Sequence, residues 1–221
     1  MIHVGANKSV IEVLLAARRI ADVAKNEGVN GGQKPSRLTC EHLGAVLADS
    51  ILQAGLNYAT VVRPRVMEIL QAYPDRKTVS SLVELIKEGK TGSFLKWCHR
   101  EKIARFEGLV YFLSGCGVEG ALDLRSKLVT EEFCLSLQSV SGIGPKTVDY
   151  MACLVGIDSI AVDRHVRAFA KMVGVQRDDY HFLRQSFCWA ADFLSLPRRE
   201  FDAWLWRRSA RPHEVQLVLE V

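Results

Sequence analysis

The chain has no Cys-x-x-Cys pair, no run of 18 apolar residues, no internal repeat and no low-complexity tract, and each absence narrows what it can be. Its six cysteines, at positions 40, 98, 116, 134, 153 and 188, stand singly. That removes the usual zinc and thiol-redox spacings, and reduced, mostly buried thiols in a cytosolic protein are the simplest expectation. Without a long apolar run no membrane-spanning helix is expected. Residues 1–8 have no basic segment leading into an apolar one, so secretion is not expected either. Charge of one sign is scarce as well: 29 basic against 25 acidic residues leave a net +4, a mild lean toward an anionic partner that does not by itself identify DNA. A strand-like alternation of apolar and polar residues is missing throughout.

What is present is the helical period. An apolar content of 48% in 221 residues is enough for one good-sized core or two small lobes. Apolar stripes at helical spacing begin with Val10, Val13, Leu14, Ala17 and Ala21, led by Ser9 with Glu12 three residues on as a capping box, and stop near Gly28. Residues 29–37 hold Gly31, Gly32 and Pro35 and read as a loop between lobes. Further stripes follow at Leu43, Val46, Leu47 and Ile51, at Val62, Val66, Ile69 and Leu70, at Val79, Leu82, Val83 and Ile86, and at Ile103, Phe106, Val110 and Leu113. After residue 160 come Val162, Val166, Phe169, Ala170 and Val173, then Leu183, Phe187, Ala190 and Leu194. The expected fold class is all-α, with about nine to eleven helices. Aromatic residues 182, 187, 189, 193, 201, 204 and 206 are expected to pack the end of the chain, and residues 212–221 read as an extended tail.

Residues 137–155, LQSVSGIGPKTVDYMACLV, carry the most information. Two short helical patterns flank Ser141-Gly142-Ile143-Gly144-Pro145. Glycines one residue apart permit positive φ and leave no side chain between the backbone and an approaching group. Proline is harmless in the first turn of the next helix, whose N–H has no helical partner in any case. A tight turn feeding a helix N-terminus results, and its N–H groups and partial positive charge suit a phosphate oxygen without reading base sequence. Gly-x-Gly-Pro alone is equally an ordinary turn between helices.

The wider pattern is Val140-Ser-Gly142-Ile-Gly144-Pro-Lys146 followed by Val162-Asp163-Arg164-His165. It resembles the helix-hairpin-helix DNA glycosylase superfamily, closest to its endonuclease III branch, over about residues 43–175. The resemblance implies two helical lobes with the hairpin and an active site in the cleft between them. By its pattern, residues 40–156 would form a six-helix-barrel-like lobe that includes the hairpin at 137–155, residues 1–28 with 163–210 a second helical lobe, and residues 211–221 a tail. It implies a base-excision enzyme that removes a damaged or mispaired base and then nicks the strand by β-elimination. Lys146 would be the nucleophile and Asp163 its carboxylate partner. Gly142, Ile143, Gly144, Lys146 and Thr147 of the hairpin, with His165, Gln53 and Lys102, would contact DNA. Gln53 would fill the gap left by the extruded nucleotide, or stand simply as a solvated helix end.

The chemistry asks for these residue types. An amine attacks the sugar C1′ only when unprotonated, and a lysine in the first turn of a helix, near its positive end, is disfavoured as a cation, the more so when buried. Lysines so placed form Schiff bases. A facing carboxylate stabilises the oxocarbenium-like sugar or takes the amine proton. Lys146 also reads as a plain phosphate-binding lysine, and Asp163 as an N-cap of the helix that follows it. A non-catalytic DNA-backbone-binding hairpin module and a monofunctional glycosylase therefore stand as the alternatives.

The resemblance implies that backbone carbonyls of Gln138, Val140 and Ile143 hold a monovalent cation. It does not extend to the four-cysteine iron–sulfur loop of many relatives, since only Cys188 follows Cys153; no cofactor is expected to be required. Basic residues Lys96, Arg100, Lys102 and Arg105 are candidate backbone contacts, whereas Arg198, Arg199, Arg207, Arg208 and Arg211 read as a solvated face. The expected partner is double-stranded DNA carrying a lesion, an oxidised pyrimidine by the nearest branch. The protein is expected to act as a monomer, without a membrane, in the cytoplasm with the nucleoid or in a nucleus.

Overall fold

The computed structural model describes residues 3–29 and 39–209, with side chains from residue 9 onward. Among the described residues there are twelve α-helices and no strand. None of these helices is long and apolar enough to cross a membrane. The chain divides into two compact units, residues 39–157 and the segments on either side of them.

The unit of residues 39–157 is organised around α2 (Leu43–Leu52), of which every residue is buried. A helix this apolar, interrupted only by Asp49 and Ser50, belongs inside, and α3 (Arg63–Ala72), α4 (Val79–Lys87), α6 (Arg100–Gly115) and α9 (Pro145–Leu154) pack around it. His42 caps α2: its Nδ1 accepts from the Ala45 N–H at 3.1 Å, and its Nε2 bonds the Tyr73 carbonyl at 2.9 Å. Accepting at Nδ1 fixes the ring proton on Nε2. Gly44 lets a neighbouring segment approach, since a Cβ there would fall 2.4 Å from the Arg76 carbonyl oxygen. Asn57 opens a wide π-type turn (Tyr58–Val62) that runs into α3, its Oδ1 accepting from the Thr60 N–H at 2.9 Å. Thr78 and Ser81 form a reciprocal capping box on α4. The short helices α5 (Thr91–Leu95), α7 (Ala121–Leu128) and α8 (Glu131–Leu137) complete the unit. Phe94, Phe106, Leu47 and Leu82 are among its fully buried side chains, each contributing about 1.5–3 kcal/mol by leaving water.

The other unit holds α1 (His3–Asn26), α10 (Arg164–Met172), α11 (Tyr180–Phe193) and α12 (Arg198–Ser209). Small residues on facing stripes, Ala16, Ala17, Ala21 and Ala24 of α1 and Ala190 and Ala191 of α11, let these two helices pack at length. Phe169, Phe187 and Phe201 meet in a cluster of tilted and edge-on rings that Trp204 closes. The pair Glu27 and Arg208 ties the end of α1 to the end of α12.

Several expectations need correction. Ser9 is not an N-cap, because α1 runs on to His3, and Glu12 pairs with Arg177 at 3.2 Å rather than closing a capping box. Twelve helices replace nine to eleven, since the short α5 and α7 and the charge-laden α12 carry too few turns of clean apolar period to register. Trp189 and Phe193 are 48% and 45% exposed: the buried face of α11 is Phe182, Leu183, Ser186, Phe187, Cys188, Ala190 and Ala191, which turns positions 189 and 193 outward. Of the six thiols only Cys153 and Cys188 are buried, and Cys98 is exposed. Residues 30–38, which hold most of the expected linker, and the tail 212–221 lie outside the described residues.

Candidate active site

Helix α8 ends at Leu137, and the chain turns back into α9 within seven residues. The Ile143 N–H donates to the Val140 carbonyl at 3.0 Å, and the Thr147 and Val148 N–H groups both reach the Gly144 carbonyl, which starts α9 with Pro145 in its first position. Ile143 is 3% exposed and pins the turn to the unit.

The two glycines of the turn differ in what holds them there. Gly142 has φ +79°, which strains any side chain, and the Arg105 side chain lies against it so closely that a Cβ would fall 2.2 Å from Nε. Gly144 has φ −102° and ψ 178°, extended backbone that any residue before proline adopts, and a Cβ on it would meet nothing within 4 Å. The fold requires a glycine at 142 and requires none at 144.

Lys146 is in the first turn of α9, and its Nζ donates to Oε1 of Gln53 at 2.8 Å. Gln53 is the residue that closes α2, its N–H bonding the Asp49 carbonyl. One turn further along α9, and one turn back along α2, the Tyr150 hydroxyl donates to Oδ1 of Asp49 at 3.0 Å. Lys146 to Gln53 and Tyr150 to Asp49 are thus parallel rungs between two antiparallel helices. Oδ2 of Asp49 accepts from Tyr58 at 3.1 Å, so a carboxylate only 1% exposed holds two phenol donors. Buried charge is tolerated when it is hydrogen-bonded in this way.

Lys102 of α6 stands at the same end of α2. Its ammonium donates to the carbonyls of Ile51 and Ala54, both at 2.9 Å, and approaches that of Leu52 at 3.4 Å. These are carbonyls that a helix end leaves without a helical N–H, at the negative pole of its dipole. Burial, with the nearby Arg105 charge second, pushes the Lys102 amine below the ordinary lysine range, and Glu101 opposes the shift. Lys102 was expected to meet DNA; its donors are turned inward, onto the segment that carries Gln53. Lys96 and Arg105 of the same basic group pair with Glu68 and Glu101.

Asp163 belongs to the other unit and is the N-cap of α10. Its Oδ1 accepts from the His165 N–H at 2.8 Å and the Val166 N–H at 3.0 Å. Capping engages Oδ1, one of the two carboxylate oxygens. His165 follows, its ring edge-on to Trp206 at 5.5 Å and its Nε2 accepting from Arg164 Nε at 3.2 Å.

Gln53 and Lys146, singled out in the sequence for separate roles, are therefore in contact, and Thr147, the next residue of α9, is buried. Asp49, Tyr58 and Tyr150 were not among the candidate site residues, and Arg105, a candidate backbone contact, lies instead against Gly142 of the turn. The one signal for Asp49 was a carboxylate interrupting the apolar run of residues 43–52. The carbonyls of Gln138, Val140 and Ile143 lie in and beside the turn; that of Val140 already closes it and keeps a second lone pair. No protein-family model matches the chain, and no curated protein matches it in sequence.

Proposed function

We propose that this chain is a DNA base-excision enzyme, a glycosylase with abasic-site lyase activity acting through Lys146. The observation that carries the reading is Gly144. A glycine that neither φ nor packing requires, immediately before a helix N-terminus and two residues from an engaged lysine, is accounted for by a group that approaches the backbone from outside. A phosphate oxygen fits that role, because the N-terminal end of α9 carries the partial positive charge of the helix dipole. The resemblance of residues 140–165 to helix-hairpin-helix glycosylases supplies the rest.

In this reading the hairpin holds the backbone beside the lesion while the nucleotide is turned out, at a cost of about a few kcal/mol. The neutral Lys146 amine attacks C1′, the C1′–N bond to the base breaks, and the base leaves with the electron pair and takes up the proton that the amine gives up. The C1′–O4′ bond then opens, O4′ is protonated and a protonated imine forms between C1′ and Lys146; loss of a proton from C2′ of this imine expels the 3′ phosphate. Asp163 is the carboxylate that faces the cationic sugar, through the oxygen that capping leaves over. His165 and Lys102 are secondary: His165 a phosphate contact, Lys102 a support for the segment at Gln53. A monovalent cation on the carbonyls of Gln138, Val140 and Ile143 would add a positive anchor for a phosphate oxygen. The substrate proposed is double-stranded DNA with an oxidised pyrimidine.

The test is duplex oligonucleotides carrying thymine glycol, oxidised guanine or no lesion, each product divided and half treated with hot alkali. Strand cleavage at a lesion without alkali supports a bifunctional enzyme. Cleavage only after alkali indicates a monofunctional one, and none with binding intact indicates a DNA-binding module.

A further inference from the structure

We propose that Gln53 is a positioning residue for the Lys146 amine, rather than a side chain that fills the gap in the DNA. This rests on the reading of Lys146 as a nucleophile.

Three observations point to it. The Gln53 amide is turned into its own unit and engaged with Lys146 at 2.8 Å. An ammonium has only hydrogens to give, so the amide oxygen must face it, and Nε2 points elsewhere. That Nε2 is a buried donor with no partner among the described residues, as expected of an N–H held for an oxygen acceptor on the bound nucleotide. Finally, the segment bearing Gln53 is fixed independently: Lys102 gathers the carbonyls of Ile51, Leu52 and Ala54 around it.

The polarity of the contact matters for chemistry. An amide oxygen accepts one N–H of the amine and leaves the nitrogen lone pair unused, so that once Lys146 loses a proton the pair can be aimed at C1′. A donor in the same place would occupy the lone pair. A carboxylate there would hold the amine as a cation. Neutral glutamine does neither.

Two substitutions read this out. With abasic single-stranded oligonucleotide, which has no opposite strand and no gap to fill, Gln53→Leu is expected to slow borohydride-trapped adduct formation at least tenfold, with little change in the DNA concentration giving half-maximal rate. Gln53→Glu is expected to move the acid limb of the trapping rate upward by about one pH unit or more, since the new carboxylate favours the charged amine. A second measurement needs no activity: the pH dependence of acetic anhydride labelling of Lys146 in the free protein, read by peptide mass spectrometry, is expected to shift upward in Gln53→Glu. Gln53→Leu trapping as fast as wild type on single strands, or an unshifted labelling curve in Gln53→Glu, overturns the proposal. If wild type forms no adduct but the labelling curve shifts, the coupling of the two side chains stands and the lyase reading fails.

Discussion

The Tyr150 hydroxyl donates at 3.0 Å to Asp49, a carboxylate 1% exposed, one helical turn from the contact between Lys146 and Gln53. The two rungs fix how α9 is rotated against α2, and the Lys146 amine takes its place from that rotation. Phenylalanine at 150 removes one donor from a buried charge, which costs about 1–3 kcal/mol. The predicted result is a lower urea midpoint for Tyr150→Phe at unchanged slope. An unchanged midpoint means that the rung does not support the unit.

The glycines of the turn separate fold from function. Gly142→Ala places a Cβ at φ +79° against Arg105 and is expected to destabilise by about 1–2 kcal/mol. Gly144→Ala meets nothing within 4 Å and is expected to leave stability within about 0.5 kcal/mol of wild type. Affinity for an abasic duplex is nevertheless expected to drop roughly tenfold, as for loss of a hydrogen bond to a charged group. Paired thermal melts and fluorescence anisotropy measure both; equal affinity in Gly144→Ala removes the phosphate from the account.

Acid should loosen the clasp between α1 and α12. The hydrogen bond from Arg208, with its charge adding to the effect and slight burial opposing it, holds the Glu27 carboxyl below its ordinary range. A depressed folded value means that the stabilisation is present above the unfolded value, about 4.3, and is lost as pH falls through the folded one. Between pH 5 and 3 the wild-type urea midpoint is therefore expected to fall further than that of Glu27→Gln. Parallel pH curves for the two contradict this.

The helical fold was legible because apolar stripes such as Leu43, Val46, Leu47 and Ile51 repeat over several turns. Helices α5 and α7 were not, since five and eight residues hold too little period to distinguish from chance. In α12, Phe201 and Leu205 are set among charged residues that mask the stripe. The start of α1 was misplaced because a serine followed by a glutamate is a capping signal only where the helix does not continue upstream. At the site, Pro145 located Lys146 in a first turn correctly. The Gln53 contact spans 93 positions and depends on α2 and α9 lying antiparallel, which no local pattern encodes. Lys102 looked like a surface cation because sequence shows its charge and not the three carbonyls that face it.

In the proposed reaction the Lys146 amine forms an imine with deoxyribose. The most direct measurement is incubation of the protein with a duplex bearing one abasic site in the presence of sodium borohydride, followed by denaturing electrophoresis and peptide mapping. The expected result is a covalent protein–DNA adduct mapped to Lys146 and absent from Lys146→Ala, with Lys102→Ala still able to form it. An adduct on another lysine, or none while the duplex remains bound, contradicts it.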